Sequence, residues 1–81
     1  MYLKPIKNNM NELELNGTRV LFSYNTPVAC HVIGKGFLKT NKKWSITTSK
    51  HINQWLKMNN AGSVQEVDQS IIENIVKLEL R

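Results

Sequence analysis

The chain has 81 residues, 41% hydrophobic content and a formal net charge of +5. A chain this short makes a single domain, 1–81, and buries only roughly 60 to 65% of the surface it exposes when unfolded, which leaves little for a deep active-site cavity. No apolar run approaches the roughly 18 residues that span a bilayer, the N-terminal MYLKPIKNNM lacks the apolar stretch of a signal peptide, and a single cysteine, Cys30, permits no internal disulfide; the expectation is a soluble cytoplasmic protein with no membrane partner.

In chain order, residues 1–10 read as a loose terminus. ELELNGTRVLFSY, residues 12–24, reads as a β-hairpin, because Asn16-Gly17 is the pair best able to take the two positive φ angles of a type I′ turn between alternating apolar residues. A two-residue loop sets Leu15 opposite Thr18, Glu14 opposite Arg19 and Leu13 opposite Val20. Leu13, Leu15, Val20, Phe22 and Tyr24 then share one face. Asn25-Thr26-Pro27 breaks the strand, since Pro27 has no amide hydrogen and biases Thr26 toward extended geometry. VACHVI, residues 28–33, is a β-branched third strand ended by the Gly34-Lys35-Gly36 turn. FLKT and WSIT are short strand candidates around an Asn41-Lys42-Lys43 hairpin tip.

From Thr48 the period changes. Ile52, Trp55 and Leu56 fall at i, i+3 and i+4, which predicts a helix over 49–58 with Thr48 or Ser49 as N-cap, ended by Asn59-Asn60-Ala61-Gly62. Ser63 and Glu66 have the spacing of a capping box, and Val64, Val67, Ile71, Ile72, Ile75, Val76 and Leu78 make a wide apolar stripe, so a second helix is predicted over 64–80. The fold class that follows is α+β: a small antiparallel β-meander of four or five strands over residues 12–47, followed by two helices packed on one face. Exposed strand edges in so small a sheet make a homo-oligomer an expectation too.

The charge is segregated. The acids are Glu12, Glu14, Glu66, Asp68, Glu73 and Glu79, whereas residues 15–65 hold Arg19, Lys35, Lys39, Lys42, Lys43, Lys50 and Lys57 without a single carboxylate. Such a field favours an anionic partner, nucleic acid or an acidic protein surface, unless the basic middle serves solubility alone.

Catalytic patterns are weak. Cys30 and His31 are adjacent in a predicted strand, so their side chains point to opposite faces and cannot act as nucleophile and base. Cys30, His31 and His51 are too few and wrongly spaced for a metal site, the carboxylates are explained by capping and cross-strand pairing, and Gly-Lys-Gly is too short for a phosphate loop. The reading is of a protein that is not an enzyme, with no metal and no cofactor. What remains is KWSITTSKHINQWL, residues 43–56, in which hydroxyls and lysines gather where a strand passes into a helix. Helix N-termini of that kind bind anions, although plain N-capping uses the same hydroxyls. Trp44 is a core ring, the reading favoured by the burial a small protein needs, or a platform on which a base stacks. The candidate anion or nucleic-acid site comprises Lys39, Lys42, Lys43, Trp44, Thr47, Thr48, Ser49, Lys50 and His51.

NGTRVLFSYNTPVA, residues 16–29, followed by KWSITTSKHINQWL resembles a group of short bacteriophage-encoded proteins of unknown function, in which a Tyr-x-Thr-Pro-Val-Ala segment precedes a Trp-Ser-x-Thr-Thr-Ser-Lys-His-Ile-Asn-x-Trp-Leu segment. Tyr24, Thr26 to Ala29, Trp44, Ser45, Thr47 to Asn53, Trp55 and Leu56 carry the resemblance, which covers about half the chain. Cys30, His31 and both ends lie outside it. The resemblance implies a viral or mobile-element origin, the cytoplasm of an infected cell and an accessory role. Joined to the charge pattern, it leads to the expectation of a small binding protein that takes nucleic acid weakly and without strong sequence preference; the alternative is a protein-protein module that docks on an acidic face of a host or phage protein as inhibitor or adaptor.

Overall fold

The computed structural model describes residues 2–79. Along the chain come β1 (Tyr2–Lys7), β2 (Met10–Leu15), β3 (Thr18–Ser23), β4 (Thr26–Val32), β5 (Gly36–Thr40), α1 (Ile46–Met58), β6 (Val64–Val67) and α2 (Gln69–Glu79). The strands form one six-stranded sheet in the order β1-β2-β3-β4-β5-β6. It is antiparallel through β5, and β6 joins parallel to β5 after the α1 crossover. The α+β class stands, with six strands in place of four or five.

The hairpin forms in the expected register: Leu15 pairs with Thr18, Glu14 with Arg19 and Leu13 with Val20, and the turn residues Asn16 and Gly17 have φ of 51° and 86°. Residues 2–7, expected to be loose, form an edge strand on β2. Pro5 is tolerated there because an edge strand can turn a missing donor away from its neighbour. The WSIT strand does not form. Ser45 instead caps α1, which begins at Ile46 and not near residue 49, and residues 41–45 connect β5 to α1 without a hairpin. The predicted start of the second helix is likewise a strand. Val64–Val67 pairs with Phe37–Thr40, and the helix starts only at Gln69, where the Asp68 carboxylate accepts from the Ser70 N–H and hydroxyl. Two valines in a four-residue stretch suit a strand once β5 offers an edge.

The largest correction concerns the faces. Leu21 packs with Met10, Val28, Ala29, Ile52 and Trp55 under α1, whereas its neighbour Val20 packs with Cys30, Leu38, Val67, Ile72 and Val76 under α2. Successive strand residues point to opposite faces, so the two helices cover opposite sides of the sheet rather than one side. A bulge between β3 and β4 lets consecutive Val28 and Ala29 both join the α1 side. Trp55, 0% exposed, sits at the centre of that side and donates its indole N–H to Glu12 Oε1 at 2.7 Å.

Candidate functional site

The basic segment lies where β5 hands over to α1. Thr40 Oγ1 accepts from the Lys42 N–H at 3.1 Å and the Asn41 N–H donates to the Val67 carbonyl at 2.8 Å, which together anchor the connection to the sheet. Lys42 Nζ stands 4.1 Å from the centroid of the Trp44 ring, a cation–π contact. Ser45 is extended at φ −139°, ψ 167°, and its hydroxyl accepts from the Thr48 N–H at 3.1 Å, so one of the free helix amides is satisfied. The first turn of α1 holds no carboxylate, and its partial positive charge adds to that of the lysines.

Two grooves flank this helix start. The larger, about 580 Å³, is lined by Lys43, Trp44, Ser45, Ile46, Ser49, Lys50 and Asn53. The second, about 230 Å³, shares Lys43, Ser49 and Asn53 with it and continues along Lys42 and Lys39 to Glu66, whose carboxylate lies 3.8 Å from Lys39 Nζ. Six of the nine predicted site residues therefore meet at one surface: Lys39, Lys42, Lys43, Trp44, Ser49 and Lys50. Trp44 is 41% exposed, so it is not the core ring that composition favoured. Thr47 is exposed but lines neither groove.

Thr48 and His51 turn the other way, and this corrects their place in the candidate site. They are 5% and 3% exposed and face the sheet, where Ser23 Oγ lies 2.9 Å from Thr48 Oγ1 and 2.8 Å from His51 Nδ1. Ser45 Oγ donates to Thr48 Oγ1 at 3.2 Å. Ser23 Oγ therefore links both helix side chains to the sheet, and Ser45 extends the same chain of polar contacts to the helix start. Burial, and secondarily the charge of Lys7, holds His51 below its ordinary pKa. The signal was present in the spacing, since Thr48 and His51 extend the Ile52 and Trp55 stripe back by one turn.

Sequence reasoning also missed Tyr24. It occupies the β3–β4 turn at φ 57° and is 48% exposed, and it lines a further depression of about 230 Å³ with Thr26, Trp44 and Ser45. Elsewhere Cys30 is 0% exposed and burial pushes its thiol up to about 11, which leaves it inert as a nucleophile. His31 points to the opposite face, with its ring 4.6 Å from that of Phe37. Among the described residues, no three His, Cys, Asp or Glu side chains come together as metal ligands, and no helix is long and apolar enough to cross a membrane.

The model of one protein family, described as "Family of unknown function (DUF8033)", matches residues 1–74. The chain belongs to this family. No curated protein and no solved structure matches it. The span shared with DUF8033 takes in every groove residue and the whole hydroxyl chain, and stops within α2.

Proposed function

We propose that the protein is a small accessory protein of the kind bacteriophages encode, which binds nucleic acid in the infected cell's cytoplasm weakly and without strong sequence preference, and performs no chemistry on it. The observation that carries this reading is the meeting of Lys39, Lys42, Lys43 and Lys50 beside exposed Trp44 at a helix start that has no acidic residue in its first turn. Ammonium groups are point charges that neutralise phosphates, and they lack the planar fork by which arginine reads guanine. Affinity should therefore depend more on salt than on sequence.

Binding of labelled oligonucleotides at several salt concentrations tests this. The Lys43→Ala/Lys50→Ala variant should reduce the logarithmic salt slope by roughly 0.7 to 0.9 per lysine. Absence of binding to any oligonucleotide at low salt would end the reading. A second reading, docking on an acidic face of a host or phage protein, has one observation in its favour: Ile46, 78% exposed, lies beside Trp44 in the groove. Retention of one protein after nuclease treatment, and its loss on Ile46→Asp, would support that reading instead.

A further inference from the structure

The three depressions around α1 share walls. The one beneath Tyr24 has Trp44 and Ser45 in common with the lysine groove, which in turn has Lys43, Ser49 and Asn53 in common with the depression that ends at Lys39. Set side by side, they trace a track from the β3–β4 turn, across the helix start, to the end of β5. Two exposed aromatic rings, Tyr24 and Trp44, line its first part, and Lys43, Lys50, Lys42 and Lys39 are among the residues of the remainder, which ends where Glu66 faces Lys39.

Tyr24 is unusual in its backbone as well as its exposure. A φ of 57° is left-handed, a conformation that glycine and asparagine adopt readily and that a bulky side chain resists. The tyrosine is held there while its N–H donates to the Asn9 carbonyl at 2.7 Å; its ring belongs to neither core cluster and stands 6.0 Å, centroid to centroid, from that of buried His51. Turn geometry does not call for tyrosine at this position, and a strained residue on an exposed surface is a recurrent sign of function. Trp44 has Lys42 over its ring at 4.1 Å, and no other aromatic ring stacks on it among the described residues.

Resting on the nucleic-acid reading above, we infer that this track is a site for single-stranded nucleic acid, with bases stacking on Tyr24 and Trp44 and phosphates passing Lys43 and Lys50. Aromatic rings can take only bases that are free of their own helix, because duplex bases present edges and not faces to the outside. Ring stacking and phosphate neutralisation make no demand on the sugar, so DNA and RNA both suit the track, and the two polymers form separate arms of the test.

The test is fluorescence anisotropy with single-stranded DNA, single-stranded RNA and a duplex, on the intact protein and on Tyr24→Asn and Trp44→Leu. Single strands should bind at least about tenfold more tightly than duplex, and each variant should weaken single-strand binding by roughly five- to hundredfold while duplex binding holds. Tyr24→Asn should change thermal stability little, since asparagine accepts the left-handed turn and this offsets the lost contact with the His51 ring. A loss of binding without a loss of stability is a result that a merely structural tyrosine would not give. Trp44 fluorescence should also be quenched by single strands, against a constant background from buried Trp55. Equal binding of duplex and single strand, with both variants silent, would overturn the track and leave the nucleic-acid reading standing. Failure of every oligonucleotide to bind would remove the reading itself.

Discussion

Ser23, Thr48 and His51 show how a single buried hydroxyl can tie a helix to a sheet. Ser23 is 2% exposed and bonds both other side chains, so Ser23→Ala leaves His51 Nδ1 and Thr48 Oγ1 each short of a partner. Such losses cost about 1 to 3 kcal/mol, and urea unfolding would register them. The same chain makes stability depend on pH. In the unfolded chain this histidine takes its proton near the ordinary value of 6.5, whereas folded His51 takes it only at lower pH. The unfolded state therefore binds more protons in that window, so stability is level above it and falls as pH drops from about 6.5 toward the folded value. Thermal unfolding followed across this range should show the fall in the wild type and lose it in His51→Gln; an unchanged slope in the variant would contradict the assignment.

At the scale of one element, α1 depends on Ser45. Its hydroxyl accepts from the Thr48 N–H and donates to Thr48 Oγ1, so Ser45→Ala should lower stability by about 1 kcal/mol. Ser49→Ala should change it little, because Ser49 faces the groove and lies within the helix. Chemical denaturation of the two variants distinguishes this cap from one at Thr48 or Ser49. Four hydroxyl residues in a row of five made the cap ambiguous in the sequence, since any of them can satisfy a first-turn amide. The ambiguity ends once Thr48 is committed to Ser23 across the sheet.

For the whole molecule, the placing of helices on both faces leaves one part of the sheet open. On the α2 side, Leu3 is 59% exposed and forms, with Leu13 and Phe22, the wall of a depression of about 330 Å³. The sheet edges are poorly suited to pairing, because β1 contains Pro5 and a register shift and β6 is only four residues long. Self-association at high concentration should therefore proceed through the open apolar face. Light scattering of Leu3→Glu should then give a lower mass than wild type under the same conditions. An equal mass would place the contact elsewhere.

What the sequence by itself determined is whatever local geometry controls. Asn16-Gly17 specified the turn and with it the register of β2 on β3; alternation set Cys30 and His31 on opposite faces; and the 3.6-residue period marked Ile52 and Trp55 as buried. The basic middle was legible too, because charge does not depend on fold. Tertiary structure alone decided the features that rest on distant partners. Val64–Val67 is an apolar run short enough to be helix or strand, and it became a strand because the edge of β5 lay open beside it. Val20 and Leu21 read as one hairpin strand with a single inner face, but α1 and α2 each supplied a core and both faces were buried. The track followed from the same cause. Tyr24 and Trp44 stand twenty positions apart in the chain and line one depression only because the sheet brings the β3–β4 turn to the start of α1.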